Sequence, residues 1–213
     1  MMGDVTIRRI QNITPKETNV IADMLVRAFV NNPATPAMTG GNRELEGPLF
    51  KAMLRAGGLA GHLYVLENEL REVLSIALWF GPGTVMFDTE EQRSLGFNDF
   101  MARLDDKTRN WWMTTYPQSV GEFLKTWLPK PQRDCWWLNT IGTDPKHQKN
   151  GYATQLLNYA RKNVSSSNVL AFCSASKETA EYYSQVGFPV QAHMDASSPL
   201  GYDFPIFGHC LEV

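Results

Sequence analysis

The chain has 213 residues and a mass of 24.0 kDa, and 43% of its residues are hydrophobic, enough for one domain around a single core. A formal net charge of -2 and a pI near 6.1 exclude the basic field that draws a protein to nucleic acid and point to a small molecule or a protein as partner. Cys135, Cys173 and Cys210 stand far apart with no C-x-x-C spacing, so neither a metal site nor a redox pair is expected, and the thiols read as buried apolar residues.

The start, Met1-Met2-Gly3-Asp4, carries no signal-peptide pattern, and no run of about 18 apolar residues is present to span a bilayer. The expectation is a soluble, cytoplasmic protein without membrane contact. Val5, Ile7 and Ile10 alternate as a first strand. Thr14-Pro15-Lys16-Glu17 combines an N-cap, a proline at the first helical position and a glutamate three residues after the cap, so a helix starts there. Its apolar stripe is Val20, Ile21, Met24, Leu25, Ala28 and Phe29, and Asn31-Asn32-Pro33 ends it. Residues 33–41, rich in Pro, Thr and Gly, read as a loop, and 43–55 as a second helix.

Two strand-like runs, 61–66 and 73–80, flank a polar stretch and make a hairpin. Residues 84–133 then read as a helical, aromatic-rich insertion in an otherwise single domain spanning 1–213. Thr89-Glu90-Glu91-Gln92 is a capping box ahead of Leu95, Phe97, Phe100, Met101 and Leu104. Trp111, Trp112, Tyr116, Phe123 and Trp127 follow, either as the roof of a ligand pocket or as packing against the sheet or a second copy in a homodimer.

The most informative stretch is 136–162. A strand over 135–142 runs through Asp144-Pro145 into Gln148-Lys149-Asn150-Gly151-Tyr152-Ala153, and a helical pattern begins at once. A helix N-terminus offers unpaired N–H groups and the positive end of the peptide dipoles, and the small residues Gly151 and Ala153 allow a diphosphate close to the main chain. A Walker loop and a dinucleotide fingerprint both fail here on spacing. Ser165-Ser166-Ser167-Asn168 breaks the helix, 169–173 is a short apolar strand, 177–186 a helix ended by Gly187, and 189–192 and 204–211 are last strands across an irregular link over 195–202.

Gln148-x-x-Gly151-x-Ala153, approached through Asp144-Pro145-Lys146-His147, resembles the acetyl-CoA motif of the GNAT N-acetyltransferase superfamily. Tyr183-Ser184-Gln185-Val186-Gly187-Phe188 resembles its Y-x-x-x-G-F ending, and Ala77-Leu78-Trp79-Phe80-Gly81-Pro82-Gly83 is similar to a strand exit found in some of its small-molecule enzymes. The resemblance implies an α/β (α+β) fold with a mixed, mainly antiparallel sheet, splayed at the acetyl-CoA site and covered by helices on both faces. It also implies transfer of acetyl from acetyl-CoA to a primary amine, most simply of a small molecule, with protein N-termini or lysines next. A non-catalytic CoA-binding or interaction module is the competing class.

By the same resemblance, backbone groups of Ile141, Gly142 and Thr143 would hold the pantetheine arm. Gln148, Lys149, Asn150, Gly151, Tyr152, Ala153 and Thr154 would form the pyrophosphate cradle, with Lys149 adding charge. Tyr183 would be the general acid and Tyr182 its neighbouring alternative; a phenol near its reference value of about 10 is protonated at neutral pH. Where the superfamily often has Asn, this chain has Ser176, a weaker cofactor contact. No general base is assigned among Glu67, Glu69, Asp88, Glu122, His62 and His147.

Overall fold

The computed structural model describes residues 4–164 and 168–213, so the chain start over 1–3 and the serine break over 165–167 lie outside the described residues. After β1 (Val5–Ile10), α1 (Pro15–Ala28) begins as the sequence dictates. The Thr14 hydroxyl accepts the Glu17 N–H at 3.2 Å and the Glu17 carboxylate accepts the Thr14 N–H at 3.0 Å, so two orphan donors of the helix start are satisfied reciprocally. The stretch expected as a loop forms a short helix, α2 (Ala34–Thr39). The Asn32 side-chain oxygen accepts the Ala34 N–H at 2.9 Å, Gly40 closes the helix at φ 64°, and buried Ala34 and Ala37 pack under Trp111. Tertiary packing, not propensity, makes this a helix.

A 3-10 turn at Arg43–Leu45 leads into α3 (Glu46–Ala60), and the hairpin follows as β2 (His62–Asn68) and β3 (Val73–Phe80). The aromatic segment breaks into α4 (Glu90–Arg93), α5 (Phe97–Arg103), α6 (Asp106–Asn110), a π-helical turn over Trp111–Thr115, and α7 (Tyr116–Lys125). Thr89 caps α4, but the Gln92 amide oxygen accepts the Phe87 N–H at 2.6 Å instead of closing a capping box, and Gly96 at φ 124° separates α4 from α5. Then come β4 (Trp136–Thr143), α8 (Tyr152–Asn163), β5 (Val169–Ser174), α9 (Lys177–Gln185), β6 (Val190–Ser197) and β7 (Asp203–Glu212). The expected irregular link is thus partly strand. β6 is an exposed edge held by its ladder to β7, and its polar residues disguise it in the sequence.

Among the described residues one seven-stranded sheet forms in the order β1-β2-β3-β4-β5-β7-β6, and every neighbouring pair is antiparallel except β4 and β5. That parallel pair is in register only at Trp136 with Leu170 and Trp137 with Ala171, after which the strands part. Leu138 pairs with Trp79 and Thr140 with Leu78, which leaves Asn139 as an extra residue bulged out of the ladder beside the gap. Side chains alternate across the sheet. Leu63, Val65, Ile76 and Leu78 meet α1, α3 and α5 on one face, and Leu66, Ala77, Trp79 and Leu138 meet α8 and α9 on the other. The π-turn and α7 cover Ala196, Phe204 and Ile206 of β6 and β7.

Candidate active site

Main-chain geometry decides what the edge of β4 can offer. The Asp144 N–H donates to the Leu74 carbonyl at 2.9 Å, and in an antiparallel ladder alternate residues turn toward the same neighbour. Gly142 and Thr140 therefore bond to β3, while the N–H and C=O groups of Ile141 and Thr143 turn toward the side from which β5 has departed. Gly142 serves packing instead. A Cβ there would lie 2.7 Å from Leu25 Cδ2 and 3.2 Å from Phe29 Cε2, so its lack of a side chain lets α1 close onto β4. Of the expected trio, Ile141 and Thr143 face the gap and Gly142 does not, because its polar groups belong to β3. The Thr143 hydroxyl lies 2.8 Å from Ser75 Oγ.

The loop after β4 is anchored to α1. The Asp144 carboxylate pairs with Arg27 at 2.5 Å and accepts the Lys146 N–H at 3.0 Å. Burial opposes its charge, but the Arg27 guanidinium and that amide hold its carboxyl below the usual range. Gln148 Nε2 donates to the Thr143 carbonyl at 3.4 Å and Asn150 Nδ2 to the His147 carbonyl at 3.0 Å. Lys149 at φ 65° and Gly151 at φ 73° are both left-handed, and two such turns of the backbone around one loop make a concavity of N–H groups suited to an anion. A Cβ at Gly151 would meet no atom within 4 Å, so this glycine serves backbone conformation and open access rather than packing. The first intrahelical bond of α8 runs from the Gln155 N–H to the Gly151 carbonyl at 3.0 Å, leaving the N–H groups of Tyr152, Ala153 and Thr154 without an intrahelical acceptor. The Tyr152 ring is a different matter: it is buried with Leu156 and Leu157, so only its backbone belongs to the loop rim.

The opposite bank of the gap is built from side chains. Tyr183 is 9% exposed, its ring edge-on to Phe172 at 4.7 Å and 5.2 Å from Tyr182. Its hydroxyl has no hydrogen bond among the described residues, and burial pushes the phenol well above its ordinary value, so it is protonated at neutral pH. Tyr182 is distinct: its hydroxyl lies 2.8 Å from the Thr154 hydroxyl, tying α9 to the first turn of α8. Ser176, expected at the cofactor, caps α9, its hydroxyl accepting the Thr179 N–H at 3.2 Å.

One residue here escapes a reading of the sequence. His209 on β7 is fully buried, stacked on Phe172 at 4.9 Å, with Nδ1 2.8 Å from the Phe188 carbonyl and Nε2 3.0 Å from Ser174 Oγ. A carbonyl can only accept, so Nδ1 carries the proton and Nε2 accepts from Ser174. Its place inside the mostly apolar run over 204–211 is the available signal, but its partners are remote in sequence.

The acid and base candidates lie elsewhere. Glu67 is clasped by Arg8 and Arg71; burial opposes its charge, but the two guanidiniums hold its carboxyl low. Asp88 pairs with Arg133 at 2.8 Å, and Glu122 accepts from Gln118 at 3.3 Å. Glu69 is in the β2–β3 turn and His147 in the short turn before the loop. His62 packs edge-on to Trp136 at 4.6 Å, its basicity lowered by burial and by Arg9.

A sheet parted beside the N–H-lined start of a helix is the arrangement that the resemblance implies. The chain belongs to the GNAT family: the model of the Acetyltransferase (GNAT) family matches residues 83–188. By that membership it is an acetyltransferase that uses acetyl-CoA. None of the curated protein sequences matches it. Among solved structures it resembles a Corynebacterium glutamicum ATCC 13032 protein described as histone acetyltransferase HPA2 and related acetyltransferase, with a TM-score of 0.64 and 17% identity over 98% of this chain and 96% of that one. It also resembles arylalkylamine N-acetyltransferase 2 of Aedes aegypti, with a TM-score of 0.59 and 13% identity over 99% of each chain. A third is yncA of Salmonella typhimurium, solved with its cofactor acetyl-CoA, with a TM-score of 0.51 and 15% identity over 98% of this chain and 93% of that one. At these identities the likeness is one of fold. Among the described residues no helix is long and apolar enough to cross a membrane.

Proposed function

We propose that this protein transfers the acetyl group of acetyl-CoA to the primary amine of a small molecule, by direct attack with both substrates bound. The observation that carries the reading is the juxtaposition of the parted β4 and β5 with the N–H-lined loop at the start of α8. The loop fits a diphosphate because it is open above Gly151 and rich in unpaired donors. Acetyl-CoA supplies the activated acetyl thioester. Backbone N–H groups of Lys149, Asn150, Gly151, Ala153 and Thr154 hold the pyrophosphate, and the main chain of Ile141 and Thr143 holds the pantetheine arm. Tyr183, kept neutral by its apolar surroundings, donates its proton to the departing thiolate. The acceptor approaches from the side of the α1–α2 connection, where a cavity of about 430 Å³ adjoins Phe29.

Small amines are favoured over proteins because this cavity is bordered by the α1–α2 connection, α2 and the start of α3, and because the Aedes aegypti neighbour is an arylalkylamine enzyme. The competing reading, a CoA-binding module without catalysis, is favoured by two observations: the Ser176 hydroxyl caps α9, and Glu67, Asp88 and Glu122 each have a side-chain partner within the fold. Calorimetric titration with acetyl-CoA and with free CoA, followed by thiol release in the presence of an amine panel, decides between them. Saturable binding with amine-dependent thiol release is the expected result. Binding without turnover of any amine would establish the module, and no binding at all would remove both readings.

A further inference from the structure

The cavity beside Phe29 holds a carboxylate whose ion pair within the fold is long and lies on an exposed arginine. Phe29, Asn31, Thr35, Pro36, Arg43 and Glu46 contribute to its wall. Glu46 stands in the first turn of α3, and its side chain is only 8% exposed. Among the described residues no donor hydrogen-bonds its carboxylate; the nearest cation is Arg43 Nε at 3.9 Å, on a side chain that is 75% exposed. A side chain set this deep normally carries hydrogen bonds or a close counter-ion, so a Glu46 carboxylate that lines the cavity without a donor is open to one from a ligand. The contrast with Glu67, 1% exposed and clasped by two arginines, shows what a carboxylate committed to the fold looks like in this molecule. The α3 N-terminus lends Glu46 some favourable field, yet supplies none of the missing bonds.

Phe29 links the cavity to β4. Phe29 forms its wall and at the same time lies against Gly142 of β4, and across the other side the Tyr202 hydroxyl donates to the Pro33 carbonyl at 2.9 Å, fixing the β6–β7 turn over the α1–α2 connection. An amine whose reacting nitrogen sits at the β4 edge can run along the Phe29 ring and end beside Glu46. We infer that Glu46 is a specificity residue that accepts the distal ammonium group of a diamine acceptor, so that this enzyme selects diamines over monoamines of the same length. The inference rests on the acetyltransferase reading, with the cavity as acceptor site. One nitrogen must be neutral to react, whereas the other stays protonated and pairs with the carboxylate; the apolar ring of Phe29 suits the methylenes between them.

The test is designed to report on Glu46 even if turnover fails. With the protein saturated by free CoA, 1,4-diaminobutane and butylamine are titrated in a calorimeter, and in parallel both are assayed by thiol release with acetyl-CoA. The diamine is expected to bind about 10- to 100-fold more tightly than the monoamine, the range set by a charge-assisted hydrogen bond to a buried carboxylate. Glu46→Gln should collapse that ratio toward unity, through KM rather than kcat. Glu46→Asp keeps the charge but withdraws it by one methylene, so its optimum should move to 1,5-diaminopentane, which also guards against a Gln variant that folds poorly. Equal affinity for the two amines in the parent protein, or an unchanged ratio in Glu46→Gln, would overturn the inference while leaving the transferase reading intact. Diamine binding that depends on Glu46, without any thiol release, would instead keep the site and defeat the proposed reaction.

Discussion

The two banks of the gap between β4 and β5 are made in opposite ways. From Ile141 to Thr154 the groups proposed to bind are backbone N–H and C=O, the side chains of Gln148 and Lys149 are exposed, and left-handed residues set the shape. From Ser174 through Tyr183 to His209 the bank is made of side chains, with Tyr183, the proposed acid, packed among the rings of Phe172 and His209. The first bank should ignore most side-chain changes but respond sharply to altered backbone conformation or charge. The second should respond to the loss of a single oxygen.

The largest effect should come from removing that oxygen. Tyr183→Phe keeps the ring against Phe172 and deletes the only proposed proton donor, so kcat should fall about 1,000-fold while the affinity for acetyl-CoA stays within about two-fold. Stopped assays of thiol release, with calorimetry alongside, separate the two quantities. An unchanged kcat would move the acid elsewhere, with Tyr182 the first alternative. On the opposite bank, Gly151→Glu adds a negative charge where the diphosphate would sit and forces a side chain into φ 73°. Acetyl-CoA affinity should weaken about 100-fold, whereas stability should fall by only about 1 kcal/mol, the usual penalty for a non-glycine residue in the left-handed region. Undiminished binding would place the cofactor away from this loop.

How legible these banks are in the sequence follows from the range of the interactions that make them. The β4-loop-α8 bank is readable because its determinants are local: Asp144-Pro145 for the turn, Gly151 for the helix entry, and the apolar spacing of Leu156, Leu157 and Ala160 for the buried face. The Thr14 cap is readable for the same reason. The helix over Ala34–Thr39 is hidden because Trp111 and Tyr202, far along the chain, supply the contacts that hold it. The π-turn is hidden too: the Tyr116 N–H reaches back to the Trp111 carbonyl while the indoles of Trp111 and Trp112 bond to Ser197 and Met38. Alternation from Phe204 and Ile206 puts His209 on the opposite face of β7, and nothing local could have named Ser174 and Phe188 as its partners.

Gly142 sharpens the comparison from within the first bank. Unlike Gly151, it is needed for close packing, so Gly142→Ala should leave the diphosphate loop intact and act on stability. The new methyl would press on Leu25 and Phe29, and overpacking of this kind costs about 2 kcal/mol, a drop of roughly 6 °C in melting temperature for a chain of this size. A melting temperature within a degree of the parent would mean that α1 yields freely, and the pocket wall at Phe29 would then be soft as well.

The smallest effect concerns the second bank's own stability. His209 is held neutral: burial lowers its basicity, only partly offset by the bond from Nδ1 to the Phe188 carbonyl. The unfolded chain therefore takes up the proton first as the pH falls, and the stability His209 contributes is complete above about 6.5 and lost progressively below it. Melting curves from pH 8 to 5 should show the parent protein declining through this window more steeply than His209→Gln. Glu17, Glu67 and Asp144, all held low by their cationic or amide partners, lose their contributions only in more acid solution and leave the window clear. His62 is also depressed, by burial and by Arg9, so His62→Gln serves as the control that isolates the two imidazoles. Identical slopes for the parent and His209→Gln would mean that the buried imidazole accepts its proton without disturbing Ser174 or Phe188, and the wall around Tyr183 would be more compliant than its packing implies.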